Sequence, residues 1–306
     1  MKKQLLECVP NYSEGRRVEV IEAIADCFRG KKDVRLLDYQ TDADHNRMVV
    51  TAIGEPDALR DAVLRSFETA VKAIDLTKHE GQHPRMGAVD VVPFIPCRGT
   101  TVEDADRVAK ETAKAVAERF QIPVFLYEDS ARAPHRQNLA AIRKGQFEGM
   151  AEKMKDRELW TPDFGPALPH PTAGVSAIGA RMPLVAYNVN LDTDNPEIAD
   201  TIAKRIRHIG GGWRFLKAIG INLGDKGKMQ VSMNLTNYPK TAIYQAFETV
   251  KMEARRYGVN VLESEIVGLV PMEALVDCAA YYLQLGEGFD PMQQVMENRL
   301  LEEDFE

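Results

Sequence analysis

Apolar and polar positions repeat with two periods along this chain, and the order in which those periods alternate predicts its architecture. Residues 4–10 read as a strand, after which Asn11, Ser13 and Gly15 signal a turn and an amphipathic helix covers about residues 16–29. Strands follow over 34–39 and 48–53. A helix over 56–75 carries one apolar stripe through Leu59, Ala62, Val63, Phe67, Ala70, Val71 and Ile74, with Pro56 suited to its first turn. The strand 89–95 completes a β-α-β-β-α-β order. That order recurs as strand 184–191, helix 196–207, strand 215–221, strand 229–236, helix 239–257 and strand 261–269. A helix near 102–119, a strand over 123–127 and a Pro/Gly-rich connector over 161–181 lie between the two series. The expected fold class is therefore α/β (α+β), built from two related halves. The expected domains are 1–178 and 179–306.

Two strands of the second half have unlike faces. Val185, Tyr187, Val189 and Leu191 alternate with Ala186, Asn188 and Asn190, and Val231, Met233 and Leu235 alternate with Gln230, Ser232 and Asn234. An ordinary solvent-facing sheet explains such alternation. Short amides in place of Lys, Glu or Thr also suit a partly enclosed polar surface where donors and acceptors meet a ligand.

Composition narrows the function classes. A chain of 306 residues, 44% of them hydrophobic, can bury a substantial core. No apolar run approaches the roughly 18–20 residues that span a bilayer, and the N-terminus shows no signal-peptide pattern, so a cytoplasmic protein is expected. Cys8, Cys27, Cys97 and Cys278 are widely spaced in apolar surroundings without a Cys-x-x-Cys pair, which fits reduced thiols. The net charge of −7 argues against a nucleic-acid partner. A small anionic substrate needs only a few local Arg or Lys groups and is unaffected by net charge.

The sharpest chemical signal is HEGQHPRMGA at 79–88. Its first five residues spell His-Glu-x-x-His, which holds zinc only on a helix, where positions i and i+4 share a face. Gly81 weakens a helix and Pro84 pushes His83 out of the right-handed α region, so a zinc hydrolase using His79 and His83 is the weaker reading. No bound metal is expected. On a loop leading into a strand, the segment instead offers imidazoles for proton transfer near neutral pH.

ECVPNYSEG (7–15), DHNRMVVT (44–51), HEGQHPRMGAVDVVPFIP (79–96), WTPDFGP (160–166), IGAR (178–181), MQVSMNLTNY (229–238) and EIVGLVP (265–271) carry a wider likeness. With these segments the chain resembles glutamate formimidoyltransferases over nearly its whole length, closer to the stand-alone bacterial form than to the transferase part of the mammalian enzyme that also carries a cyclodeaminase. The length after residue 285 is too short for a cyclodeaminase. The resemblance implies two sandwich subdomains with facing sheets and helices outside, and a homodimer. It implies transfer of the formimino group from N-formimidoyl-L-glutamate to tetrahydrofolate as co-substrate, giving 5-formimidoyltetrahydrofolate and L-glutamate, usually in histidine degradation.

The same resemblance makes His83 the catalytic histidine, with His79 in support. It places folate on Gly165, Pro166, Ala167, Leu168, Pro169, His170, Pro171, Thr172, Ala173 and Gly174, where Pro169, His170 and Pro171 replace the more aromatic, hydroxyl-bearing run of the mammalian form. Arg47, Arg85 and Arg181 are candidate clamps for the carboxylates of glutamate and of the folate tail. Gln40 stands where the mammalian pattern has an acid, and Asp42 or Asp44 is a candidate substitute or a turn cap. A folate-binding protein without catalysis is the remaining alternative.

Overall fold

In the computed structural model, which describes residues 4–224 and 227–302, the two predicted series fold into separate compact units that divide after Met182. The boundary expected after residue 178 would cut a strand.

The first unit is built on a mixed sheet. Strands β1 (Leu6–Cys8) and β2 (Asn11–Tyr12) are two halves of one central strand, each paired antiparallel with β4 (Arg47–Gly54) on one side and β5 (Val89–Pro96) on the other. The expected turn at Asn11 is thus a strand interruption one residue earlier. Pro10 has no N–H to give the ladder, although its carbonyl still accepts from Val50 N at 3.0 Å. Strand β3 (Val34–Asp42) borders β4, beyond which the turn 43–46 joins them as a hairpin.

Helices α1 (Val18–Ala25) and α2 (Pro56–Ala73) supply Ile21, Ile24, Leu59, Val63 and Phe67 to a core shared with Leu6, Tyr12, Met48 and Val50. Each such side chain contributes roughly 1.5–3 kcal/mol by leaving water. The α1 helix is shorter than its predicted span: Glu14 takes the N–H groups of Arg16 and Arg17 at 2.9 Å ahead of its start, and residues 26–29 turn instead of continuing it.

Beyond β5 the sheet continues. Helix α3 (Val102–Phe120), opened by a Thr101–Asp104 capping box, leads to β6 (Val124–Leu126). Strand β7 (Ser176–Ala180) runs parallel to both β5 and β6 and lies between them. The connector expected over 161–181 is therefore wrong for its last third, which is a fully buried strand. Its neighbours cover both faces: Ile178 and Ala180 join the α2–α3 core, whereas Ala177 packs with Val91, Phe125, Ile142, Met150 and Met154. The last three come from the segment of α4 (Leu139–Arg143), α5 (Gln146–Lys153) and α6 (Arg157–Trp160), which the pattern did not predict.

The second unit has four antiparallel strands, β8 (Val185–Leu191), β9 (Leu216–Asn222), β10 (Met229–Leu235) and β11 (Val261–Val267), in the order β11-β8-β10-β9. Numbered within its own series this is fourth-first-third-second. The β5-β1/β2-β4-β3 part of the first sheet has the same order, so the repeated pattern is a repeated topology. Helix α7 (Pro196–Ile206) begins at Asn195, whose side chain accepts from Glu197 N. Helix α8 (Ile243–Arg255) starts four residues later than predicted, after a turn at 239–240. Together they cover Val185, Val189, Val231 and Leu235. Helices α9 (Met272–Tyr282), α10 (Pro291–Gln294) and α11 (Met296–Glu302) follow. Among the described residues no helix is long and apolar enough to cross a membrane.

The amide face of this unit is tied to acids of the neighbouring strand. Asn188 Nδ2 donates to Glu265 Oε1 at 3.0 Å, Asn190 Nδ2 to Glu263 Oε1 at 3.1 Å, and Gln230 Nε2 to Asn190 Oδ1 at 2.9 Å. These amides are buried, which makes their mutual satisfaction necessary.

Candidate functional site

The segment 79–88 is irregular until it enters β5, so its two histidines never share a helical face. What holds it is the β3–β4 hairpin. Asn46, buried and at φ +49°, donates through Nδ2 to Glu80 O at 2.9 Å and accepts from Gly15 N at 2.9 Å. Gln82 N donates to Asp44 O at 3.2 Å. Gly81 lies so close that a Cβ there would stand 2.4 Å from His45 O, well inside contact distance. Its glycine is therefore required by close approach.

This packing turns His79 into a brace. Its Nε2 lies 3.0 Å from Asn46 O, a group that only accepts, so Nε2 carries the proton and Nδ1 receives Arg85 Nε at 3.2 Å. Neither ring nitrogen is left for a metal, since Nε2 carries the proton and the Nδ1 lone pair is taken by Arg85, and this donor set does not fit the zinc reading. Arg85 is buried and spends its remaining donors on Glu148 (2.6 and 2.9 Å), Gln146 (3.3 Å) and His79 O (3.4 Å). A substrate carboxylate would have to displace Glu148 to reach it.

His83 and Arg47 are differently placed. They line one small cavity with His45, Asn11, Ser13 and Asp90, and although His79 and Arg85 border the same cavity, it is His83 and Arg47 whose polar atoms are not spent on bracing the loop. Arg47 Nη1 lies 3.4 Å from His83 Nε2, and since a guanidinium only donates, that ring nitrogen is the acceptor and His83 is neutral. Burial, and then the positive charges of Arg47 and Arg143, push His83 down to about 3. Among the described residues the Arg47 guanidinium has no hydrogen-bond partner besides His83, and it is itself desolvated, with the charge of Arg143 acting on it.

Sequence reasoning missed Arg143 and His45. Arg143, from the unpredicted helix α4, donates to Asp90 at 2.5 Å and keeps a buried Nε without a partner among the described residues. His45 sits on the hairpin turn with Nδ1 2.7 Å from Asp42 Oδ2, and its ring centroid is 6.3 Å from that of His83. The open question over Gln40, Asp42 and Asp44 thereby acquires a geometry: Asp42 holds an imidazole, Gln40 bonds Asp38 at 3.1 Å, and Asp44 offers its backbone carbonyl to the loop.

The structure does not bring Arg181 to this cavity. Its N–H donates to Phe94 O, four residues along β5 from Asp90, or roughly 13 Å at strand spacing, and Nη1 donates to Met182 O. The stretch 165–174 does not line the cavity either, but it flanks the loop that does. Ala173 O accepts from Ala88 N and Thr172 O from Leu76 N, while His170 and Gly174 exchange backbone bonds that close a tight loop. A Cβ on Gly174, at φ +68°, would stand 2.1 Å from Met86 O. His170 Nδ1 accepts from the N–H groups of Thr172 and Ala173, and burial lowers its proton affinity. Pro166, Ala167, Leu168 and Pro169 run along the outside, where Ala167 O accepts from Arg157.

Comparison with known proteins divides the chain close to the boundary between the two units. A family model described as the formiminotransferase domain, N-terminal subdomain, matches residues 5–181, and one described as the formiminotransferase domain matches 186–300. The chain is 52% identical over 298 residues to a glutamate formimidoyltransferase of Streptococcus pyogenes serotype M1, covering 97% of this chain and 99% of that one. It is 49% identical to a glutamate formimidoyltransferase of Thermoplasma acidophilum, over 94% of each chain. To the formimidoyltransferase-cyclodeaminase of Mus musculus it is 42% identical, over 91% of this chain and 52% of that longer one.

Proposed function

The chain belongs to the formiminotransferase family and is a formimidoyl-group transferase, and on that premise we propose how the cavity around His83 carries the reaction. The donor is N-formimidoyl-L-glutamate and the acceptor is the 5-nitrogen of tetrahydrofolate, a co-substrate; the products are 5-formimidoyltetrahydrofolate and L-glutamate. The acceptor nitrogen attacks the amidine-type carbon, and a proton must then leave that nitrogen while the departing glutamate nitrogen gains one. His83 Nε2, unprotonated and inside the cavity, is the base for the first transfer. Holding two substrates in register supplies much of the remaining acceleration, and no covalent intermediate is needed.

The observation that carries this reading is the pairing of His83 with Arg47, a half-buried guanidinium that bonds no carboxylate among the described residues. Arg47 takes a substrate carboxylate, and the charge of Arg143 adds to the attraction. Bound carboxylate offsets the two charges that depress His83, so its basicity rises when the donor arrives. His79 and Arg85 position the loop, and the stretch 165–174 borders the folate. The protein works as a cytoplasmic homodimer of two-subdomain chains.

A steady-state assay with tetrahydrofolate and a panel of formimino and formyl donors tests the assignment. Turnover is expected with N-formimidoyl-L-glutamate and not with donors lacking the glutamate carboxylates. Equal rates with a formimino donor that carries no carboxylate would rule out the Arg47 role.

A further inference from the structure

We propose that His45, held by Asp42, is a second proton carrier of the transfer, the acid that protonates the departing glutamate nitrogen while His83 serves as base. This rests on the assignment of His83 to the acceptor side. Asp42 grips His45 twice, taking its backbone N–H at 2.8 Å on Oδ1 and its ring Nδ1 at 2.7 Å on Oδ2. The backbone N–H of His45 holds the Asp42 carboxyl below its ordinary value, so the acid stays ionised as an acceptor. A carboxylate on Nδ1 fixes the ring's orientation and leaves Nε2 to exchange protons. That nitrogen has no partner among the described residues, and the side chain is 47% exposed, so it can be recharged from water.

The two rings line the same cavity, edge to face at 65° with centroids 6.3 Å apart, too far to bond each other and near enough to reach one bound group from two sides. Backbone fixes that relation: the loop bearing His83 is tied to the turn bearing His45 through Gln82 N to Asp44 O and Asn46 Nδ2 to Glu80 O, with Gly81 against His45 O.

The transfer then balances with one proton taken and one given. The 5-nitrogen forms its bond to the protonated formamidine carbon and the C=N electron pair moves onto the imino nitrogen. His83 Nε2 removes the proton from the new ammonium. The His45 imidazolium gives its Nε2 proton to the glutamate nitrogen as that C–N bond breaks and the C=N bond re-forms. Exchange with water restores both rings.

The test compares His45→Gln, Asp42→Asn and His83→Gln with two donors, N-formimidoyl-L-glutamate and an aryl formimidate that carries two carboxylates in place of those of glutamate and whose leaving oxygen departs without a proton. With the amino-acid donor, His45→Gln is expected to lose about 100-fold in kcat at little-changed KM for tetrahydrofolate. With the formimidate it should return to near the wild-type rate. Asp42→Asn, a change at a positioning residue, should lose less and be rescued the same way, whereas His83→Gln stays slow with both. Wild-type kcat for His45→Gln with the amino-acid donor, or a defect that the formimidate does not relieve, overturns the proposal while leaving His83 in place. Wild-type kcat for His83→Gln overturns the reading on which it rests.

Discussion

At the scale of single residues, the site is a neutral imidazole kept neutral by its surroundings. Burial and two guanidinium groups hold His83 near 3, against an ordinary 6.5. Its ring resonances in the unliganded protein should therefore keep neutral shifts on acidification from pH 8 to about pH 5, and added glutamate should move the titration upward; a midpoint near 6.5 without ligand would remove the electrostatic account. The sign for stability follows. Between pH 6.5 and about 3 the unfolded chain binds a proton that the folded chain refuses at this position, so its contribution falls with acid through that window and is nil above it.

Asn46 and Gly81 act one step back. Asn46→Ala strands the Gly15 N–H and the Glu80 carbonyl and should cost about 2–3 kcal/mol in denaturant unfolding, with Asn46→Asp, which keeps the acceptor, losing less. Gly81→Ala must push the loop off His45 O. A displacement on the order of 1 Å should lower kcat about 100-fold while the fold survives, and unchanged kcat would show that the loop relaxes freely.

At the scale of elements, what could be read from the chain depended on whether a strand keeps one wet face. β4 and α2 have such faces, and their positions follow from alternation and stripe. β7 does not: it lies between parallel neighbours, buried on both sides, and its small residues Ser176, Ala177, Gly179 and Ala180 resemble a connector. The helices over 139–160 are too short to show a period, and their starts depend on local caps such as Asn138 and Asp156. The Asp163 of WTPDFGP is a structural acid. Asp163 accepts from Leu126 N at 2.8 Å and Arg136 Nη1 at 3.1 Å with 3% of its side chain exposed. Asp163→Ala leaves the buried Arg136 without its charge partner and should cost about 3–5 kcal/mol, measurable as a fall in the denaturant midpoint; a loss below about 1 kcal/mol would mean that water replaces the carboxylate. His79 and His83 were legible as a loop pair because Gly81 and Pro84 forbid the helix. His45 was not, because its role depends on a hairpin that brings residue 45 against residue 81.

At the scale of the molecule, the duplicated order was legible from pattern and its equivalence was not: only the pairing shows that both series share the fourth-first-third-second arrangement. Each unit has its own core, one gathering Leu6, Met48, Phe67 and Val92, the other Val189, Ile202, Val231 and Val250. A fragment of residues 1–182 should therefore fold alone, with cooperative unfolding and dispersed amide resonances. A fragment that gave only broad, collapsed spectra would show that the first core is insufficient by itself.

The central claim is that His83 takes the proton from the attacking nitrogen of tetrahydrofolate. Single-turnover transfer from N-formimidoyl-L-glutamate, with enzyme in excess over tetrahydrofolate, measures that step directly in wild-type protein and in His83→Gln. The account predicts a rate lowered about 100- to 10,000-fold with tetrahydrofolate binding retained, and a His83→Gln protein that transfers at the wild-type rate would contradict it.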